Sequence, residues 1–158
     1  MRISFDLDDT LILKSVDGPC DESLPARRRG EAIEEKLRKG TRELFHALHA
    51  RGWEILIYSN SYRGKTDLAT WFTACGLPIC GVVNQQLHDR KQMESGKIAK
   101  RPAKFPPWFQ VDLHVDDALE VFEDGQQFGF AVVRVEPDDA NWMAAVLKAA
   151  DEIQQLLR

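Results

Sequence analysis

A chain of 158 residues is the size of one ordinary domain, able to close a single hydrophobic core with little left for a second. At 44% apolar and 29% charged residues, with a formal net charge of -4, it has a globular composition and no global attraction for nucleic acid or an anionic membrane surface. No apolar run approaches the roughly 20 residues of a spanning helix, the short acidic opening is not a signal peptide, and Cys20, Cys75 and Cys80 form neither a C-x-x-C pair nor an even set, so a cytoplasmic protein with free thiols is expected.

The first element is a strand over residues 2–7, in which Ile3, Phe5 and Leu7 alternate with Ser4 and Asp6 before the acidic turn "DLDDT". From residue 14 to 40 regularity stops; Gly18, Pro19, Pro25 and the mixed charge of "ARRRGEAIEEKLRKG" read as a loop with one short helix at most. Residues 41–51 make a helix, with Thr41 as N-cap, Leu44, Phe45 and Leu48 on one face and Gly52 at the stop. "WEILIYSNS" is a buried parallel strand, 65–75 a helix closed by Gly76, and "PICGVVN" a third strand. Residues 84–107, polar and basic before the "FPPWF" cluster, read as a long functional loop. "VDLHVDD" is strand four, "ALEVFEDGQQFG" a helix, "FAVVRV" strand five, and the last twenty residues or so a helix with Asp138 or Asp139 near its cap. The alternation predicts an α/β three-layer sandwich: a mostly parallel, Rossmann-like sheet of about five strands with helices on both faces and a ligand site beyond the carboxyl ends of the strands.

Three of those strand ends carry chemistry: Asp6, Asp8, Asp9 and Thr10 after the first, Ser59 and Asn60 after the second, Asp116 and Asp117 after the fourth. Carboxylates gathered this closely repel one another and raise one another's pKa, so a cation is expected among them, and an all-oxygen set suits magnesium. With a cation present Asp6 can stay ionised as a nucleophile while Asp8 carries a proton to and from the exchanging oxygens. Calcium is excluded, because Leu11 stands where a calcium loop needs glycine. The order of the motifs argues against a receiver domain, whose paired acids close the first strand.

"DLDDT", "ILIYS" and "LHVDD" resemble motifs one, two and four of the haloacid dehalogenase superfamily, over residues 3 to about 135. The resemblance implies a phosphatase in which Asp6 is phosphorylated and Asp8 is general acid and then general base, its backbone carbonyl on magnesium. Ser59 would hydrogen-bond the phosphoryl group, Asp116 would ligate the metal with Asp117 as further ligand or orienting partner, and Thr10 would support the turn. It also implies a lysine that neutralises the phosphoryl oxygens; Lys104 is the choice, with Lys100, Lys97 and Lys91 as alternatives. An acid at position 8 separates the phosphatase pattern from the dehalogenases and the ion-pumping ATPases. Without a cap domain, only the insertion at 14–40 and the 84–107 segment are left to shape specificity. The implied substrate is a phosphorylated small molecule or macromolecule, and a neighbouring subunit closing the site stays open. The alternative is a phosphate- and metal-binding regulatory or interaction protein on the same fold with weak or no turnover.

Outside those motifs, His46 and His49 read as a solvated helix face and His88 and His114 as lacking partners. "FPPWF" reads as packing of its loop onto the sheet, and "RRR" at 27–29 either greets an anion or pairs within its loop.

Overall fold

The computed structural model describes residues 1–96 and 101–157. Five strands, β1 (Arg2–Phe5), β4 (Glu54–Tyr58), β5 (Gly81–Val83), β6 (Leu113–Asp116) and β7 (Val132–Arg134), form one sheet in the order β5-β4-β1-β6-β7, every pair parallel. The α/β reading of the sequence holds, with the central strands shorter than their apolar runs because the flanking residues turn away as loops.

Side chains alternate across a strand, and here the two faces differ in kind. Ile3, Phe5, Ile55, Ile57, Leu113 and Val115 point into the main core, closed by α1 (Thr41–Ala50), α2 (Lys65–Ala74) and α5 (Trp142–Leu156) through Phe45, Phe72 and Val146. Phe45 lies between Phe5 and Phe72, with ring centroids 5.0 and 6.0 Å away, and burial of each ring contributes about 1.5–3 kcal/mol. The other face carries Ser4, Asp6, Tyr58, His114 and Asp116, all buried, with a small apolar cluster of Leu56, Tyr58, Val83 and Val111 beside them. It is covered by α3 (Gln85–Glu94), a turn of 3-10 helix at Pro106–Phe109 and α4 (Leu119–Phe128).

Three expectations are corrected. The segment 84–107 is not one long loop: α3 begins at Asn84, whose side chain accepts the Leu87 N–H at 3.1 Å, a cap that outweighs the weak apolar periodicity of the helix. The 14–40 insertion holds no helix but an antiparallel hairpin, β2 (Arg27–Arg29) with β3 (Ile33–Glu35), because Gly30 at φ 69° permits the turn between them. The N-cap of α1 is Gly40 rather than Thr41, whose hydroxyl instead donates to the Arg38 carbonyl at 2.7 Å. "FPPWF" does pack inward: Phe105 meets Trp108, Phe128 and Phe130 with centroids 5.1 to 6.3 Å apart. All three cysteines are free, His46 and His49 are exposed, and no helix among the described residues is long and apolar enough to cross a membrane.

Candidate active site

The three central strands, β4, β1 and β6, end side by side, and their carboxyl ends bring Ser59, Asp6 and Asp116 to one cleft of about 210 Å³ that Asp8, Asn60, Lys104 and Asp117 also line. At its floor Lys104 Nζ stands 2.6 Å from Asp6 Oδ1 and 2.6 Å from Asp116 Oδ2. Burial alone would strip the proton from this lysine, but Asp6 and Asp116 outweigh it and hold the ammonium. Burial pushes the Asp6 carboxyl up to about 7, with Asp116 adding to the rise and Lys104 opposing it. For Asp116 the balance reverses; Lys104 overcomes desolvation and keeps it well below the usual carboxylate range.

Asp116 is held from several sides. Its Oδ1 accepts the Ala118 N–H at 3.0 Å, and its Oδ2 also lies 2.9 Å from His114 Nε2. The Ser4 hydroxyl is 2.7 Å from His114 Nδ1, and burial lowers the pKa of the ring, so the neutral tautomer donates from Nε2 to the carboxylate while Nδ1 accepts from the serine. His114, expected to lack a partner, therefore has two. The same correction applies to His88, whose Nδ1 lies 2.6 Å from the Tyr58 hydroxyl.

Oxygens of Asp6, Asp116 and Asp117 lie within 4.8 Å of one another, three carboxylates against the one ammonium of Lys104. Burial first, and Asp116 after it, raise the pKa of Asp117. Hard oxygen donors that outnumber their ammonium fit magnesium. The Asp8 side chain stands apart from this set. Arg63 grips it in a fork, Nη1 to Oδ2 at 3.0 Å and Nη2 to Oδ1 at 2.8 Å, and Lys14 Nζ reaches Oδ1 at 2.6 Å. Against desolvation these cations lower the Asp8 pKa to about 2. Arg63 also donates to Glu35 at 2.7 Å, and Glu35 pairs with Arg27 at 2.6 Å, so the hairpin is tied to the acidic turn by buried charges.

Ser59 is buried and accepts the Ser61 N–H at 3.2 Å, whereas Asn60 is exposed on the rim. Thr10 Oγ1 donates to Asp117 at 3.4 Å, across to the loop after β6. Asp9 does not join the cluster: at φ 60° its carboxylate turns back to accept the backbone N–H groups of Lys14 and Ser15 at 2.8 and 2.7 Å. Of the alternative lysines, Lys91 lies on α3 and pairs with Glu94 at 3.3 Å, while Lys97 and Lys100 lie outside the described residues.

The strands that end at Asp6, Ser59 and Asp116 are thus adjacent and parallel, with a lysine bridging the first and third. The fold is a parallel, Rossmann-like α/β sheet of five strands with helices on both faces. No family profile and no curated protein matches the sequence. Among solved structures the chain is similar to a Vibrio cholerae protein provisionally named a 3-deoxy-D-manno-octulosonate 8-phosphate phosphatase, at 17% identity and a TM-score of 0.45, over 98% of this chain and 83% of that one. A likeness that distant says nothing about activity, which has to come from the side chains themselves.

The sequence did not point to Arg63, Lys14 or Tyr58 as neighbours of the site. His114 carried a usable signal: two residues before Asp116 on a strand, it had to share its face. Arg63 carried none, since a loop conformation decides where its long side chain reaches.

Proposed function

We propose that this chain is a magnesium-dependent phosphatase of the haloacid dehalogenase superfamily that hydrolyses a phosphate monoester through an aspartyl-phosphate on Asp6. The observation that carries the reading is the Asp6–Lys104–Asp116 bridge at 2.6 Å on each side, at the end of the central strand. An Asp6 oxygen attacks phosphorus, the bond from phosphorus to the leaving oxygen breaks, and that oxygen takes its proton from Asp8, which is left as the carboxylate. Lys104 and the Ser59 hydroxyl meet the charge on the phosphoryl oxygens, in a reaction where positioning and charge stabilisation supply most of the rate. Asp8 then takes a proton from water as the water attacks phosphorus, releasing inorganic phosphate and restoring the Asp6 carboxylate. Magnesium, held by Asp6, Asp116 and Asp117, would neutralise the phosphate dianion and lower the pKa of the nucleophile.

Arg63 and Lys14 favour ionised Asp8, which suits its work as base and opposes its work as acid. Substrates whose leaving oxygen departs readily therefore react fastest. The hairpin at Arg27–Glu35 takes the place of a cap domain, leaving the cleft open to a phosphorylated small molecule or macromolecule.

Phosphate release from a panel of phosphomonoesters, with magnesium or with EDTA and with Asp6→Asn as control, tests this. Magnesium-dependent turnover that vanishes in Asp6→Asn is expected. Magnesium binding without turnover across small and macromolecular phosphoesters would leave a regulatory binding protein instead.

A further inference from the structure

Lys104 has the longest reach of any group on the cleft floor and is carried by neither helix nor strand. A lysine side chain has four rotatable bonds and loses substantial entropy when held in one place. Its anchoring therefore has to come from the backbone on either side, and both flanking amides are tied to side chains of other elements. The Ala103 N–H donates to Asp124 Oδ2 of α4 at 2.9 Å, and the Phe105 N–H donates to the Tyr58 hydroxyl of β4 at 3.0 Å. Tyr58, wholly buried, accepts from Phe105 and so directs its own proton to His88 Nδ1 on α3, 2.6 Å away. Its ring also lies beneath the ammonium, with Lys104 Nζ 5.8 Å from the centroid.

We infer that Tyr58, backed by His88, is a positioning residue for Lys104: with Asp124 it clamps the two amides that flank the lysine and so fixes where the ammonium meets the phosphoryl group. The inference rests on the phosphatase reading for its catalytic meaning. The clamp itself does not depend on turnover. A hydroxyl one residue before Ser59 is an unusual choice for a buried strand position, where an apolar ring would pack as well without a polar atom to satisfy. The polar atom is satisfied only because it joins α3, β4 and the lysine segment at one point.

Tyr58→Phe keeps the ring and removes only the tie. In the full chain with magnesium, the variant is expected to lower kcat for p-nitrophenyl phosphate about tenfold or more with KM changed less than about threefold. It should weaken orthovanadate, which mimics the five-coordinate phosphoryl group, by the same factor, while inorganic phosphate binding barely moves. Hydrogen exchange at the Phe105 amide should speed up in step. A buried hydroxyl with a structural role alone would lower the melting temperature and leave kcat, measured well below it, within about twofold of wild type; that result, or equal weakening of vanadate and phosphate, overturns the inference. If Tyr58→Phe does not fold, Asp124→Asn, which removes the charge from the partner tie at Ala103 while keeping its shape, carries the test with a smaller fall in the same direction. A wild-type chain without turnover defeats the phosphatase reading alone; vanadate binding and Phe105 exchange then still judge the clamp.

Discussion

Replacing Lys104 by Met removes the cation between two buried carboxylates while keeping much of the side chain's volume. Asp6 Oδ1 and Asp116 Oδ2, each 2.6 Å from Nζ, then share a pocket with no charge between them. Removing one partner of a buried ion pair costs about 3–5 kcal/mol. In a chain of this length 1 kcal/mol moves Tm by about 2–4 °C, so in EDTA at pH 8 the variant should melt roughly 6–20 °C below wild type. Protonation limits the loss. Asp6 in the fold binds its proton up to about pH 7, far above its unfolded value near 4, so that proton favours the fold. The stabilisation that Asp6 contributes to metal-free wild type therefore falls as pH rises from about 4 to about 7. In Lys104→Met the Asp6 pKa climbs further, the decline extends above pH 7, and the gap to wild type is smaller at pH 6 than at pH 8. Magnesium narrows it again by binding more tightly to the variant, which has lost the competing ammonium: at saturation each tenfold difference in Kd from wild type returns about 1.4 kcal/mol. Differential scanning calorimetry at both pH values, with EDTA and with magnesium, measures all three effects. A metal-free Lys104→Met that melts within about 2 °C of wild type at pH 8 would refute the charge balance assigned to the site.

Two further outcomes follow from particular contacts. Lys14→Met removes one of the two cations that lower the Asp8 pKa to about 2, so the Asp8 carboxyl carbon resonance should titrate at higher pH in the variant; an unmoved titration would show that Lys14 does not act on Asp8 in solution. Gly40→Ala forces a side chain onto a residue at φ 94° and drives its Cβ into Met143, whereas Gly52→Ala at φ 82° meets nothing within 4 Å. Urea unfolding should show Gly40→Ala costing about 1–3 kcal/mol more than the Gly52 variant, with m unchanged, and equal losses would mean that Met143 simply moves aside.

Reading the chain alone found the sheet because apolar runs such as "EILIY" and the glycine stops after α1 and α2 are local signals with local causes. It found Asp6, Ser59 and Asp116 because strand ends gather at one edge of a parallel sheet, so sequence position translates directly into place. Lys104 was legible only through the resemblance; nothing in its immediate neighbours marks it off from Lys91, which faces solvent enough to pair with Glu94 on a helix. The hairpin was missed because three-residue strands carry no periodicity, and its stability comes from Glu35, buried between Arg27 and Arg63, twenty-odd residues further on. The partners of His88 and His114 were missed for a similar reason. Tyr58 and Ser4 lie on strands remote in sequence from their partners; the register of the sheet sets Ser4 opposite His114, and the packing of α3 brings His88 to Tyr58.

The unequal faces of the sheet have a consequence for how such a chain can change over generations. Core residues such as Phe5, Ile57 and Val115 alternate with Asp6, Tyr58 and Asp116 along the same strands, yet each set answers to a different layer of helices. Substitutions that repack the oily side can accumulate, and be exchanged for one another, without disturbing the reactive side by more than small shifts of backbone. A lineage built this way is free to drift in half of its interior while the other half stays under scrutiny, and two descendants could share little sequence and still present the same charges at the same edge.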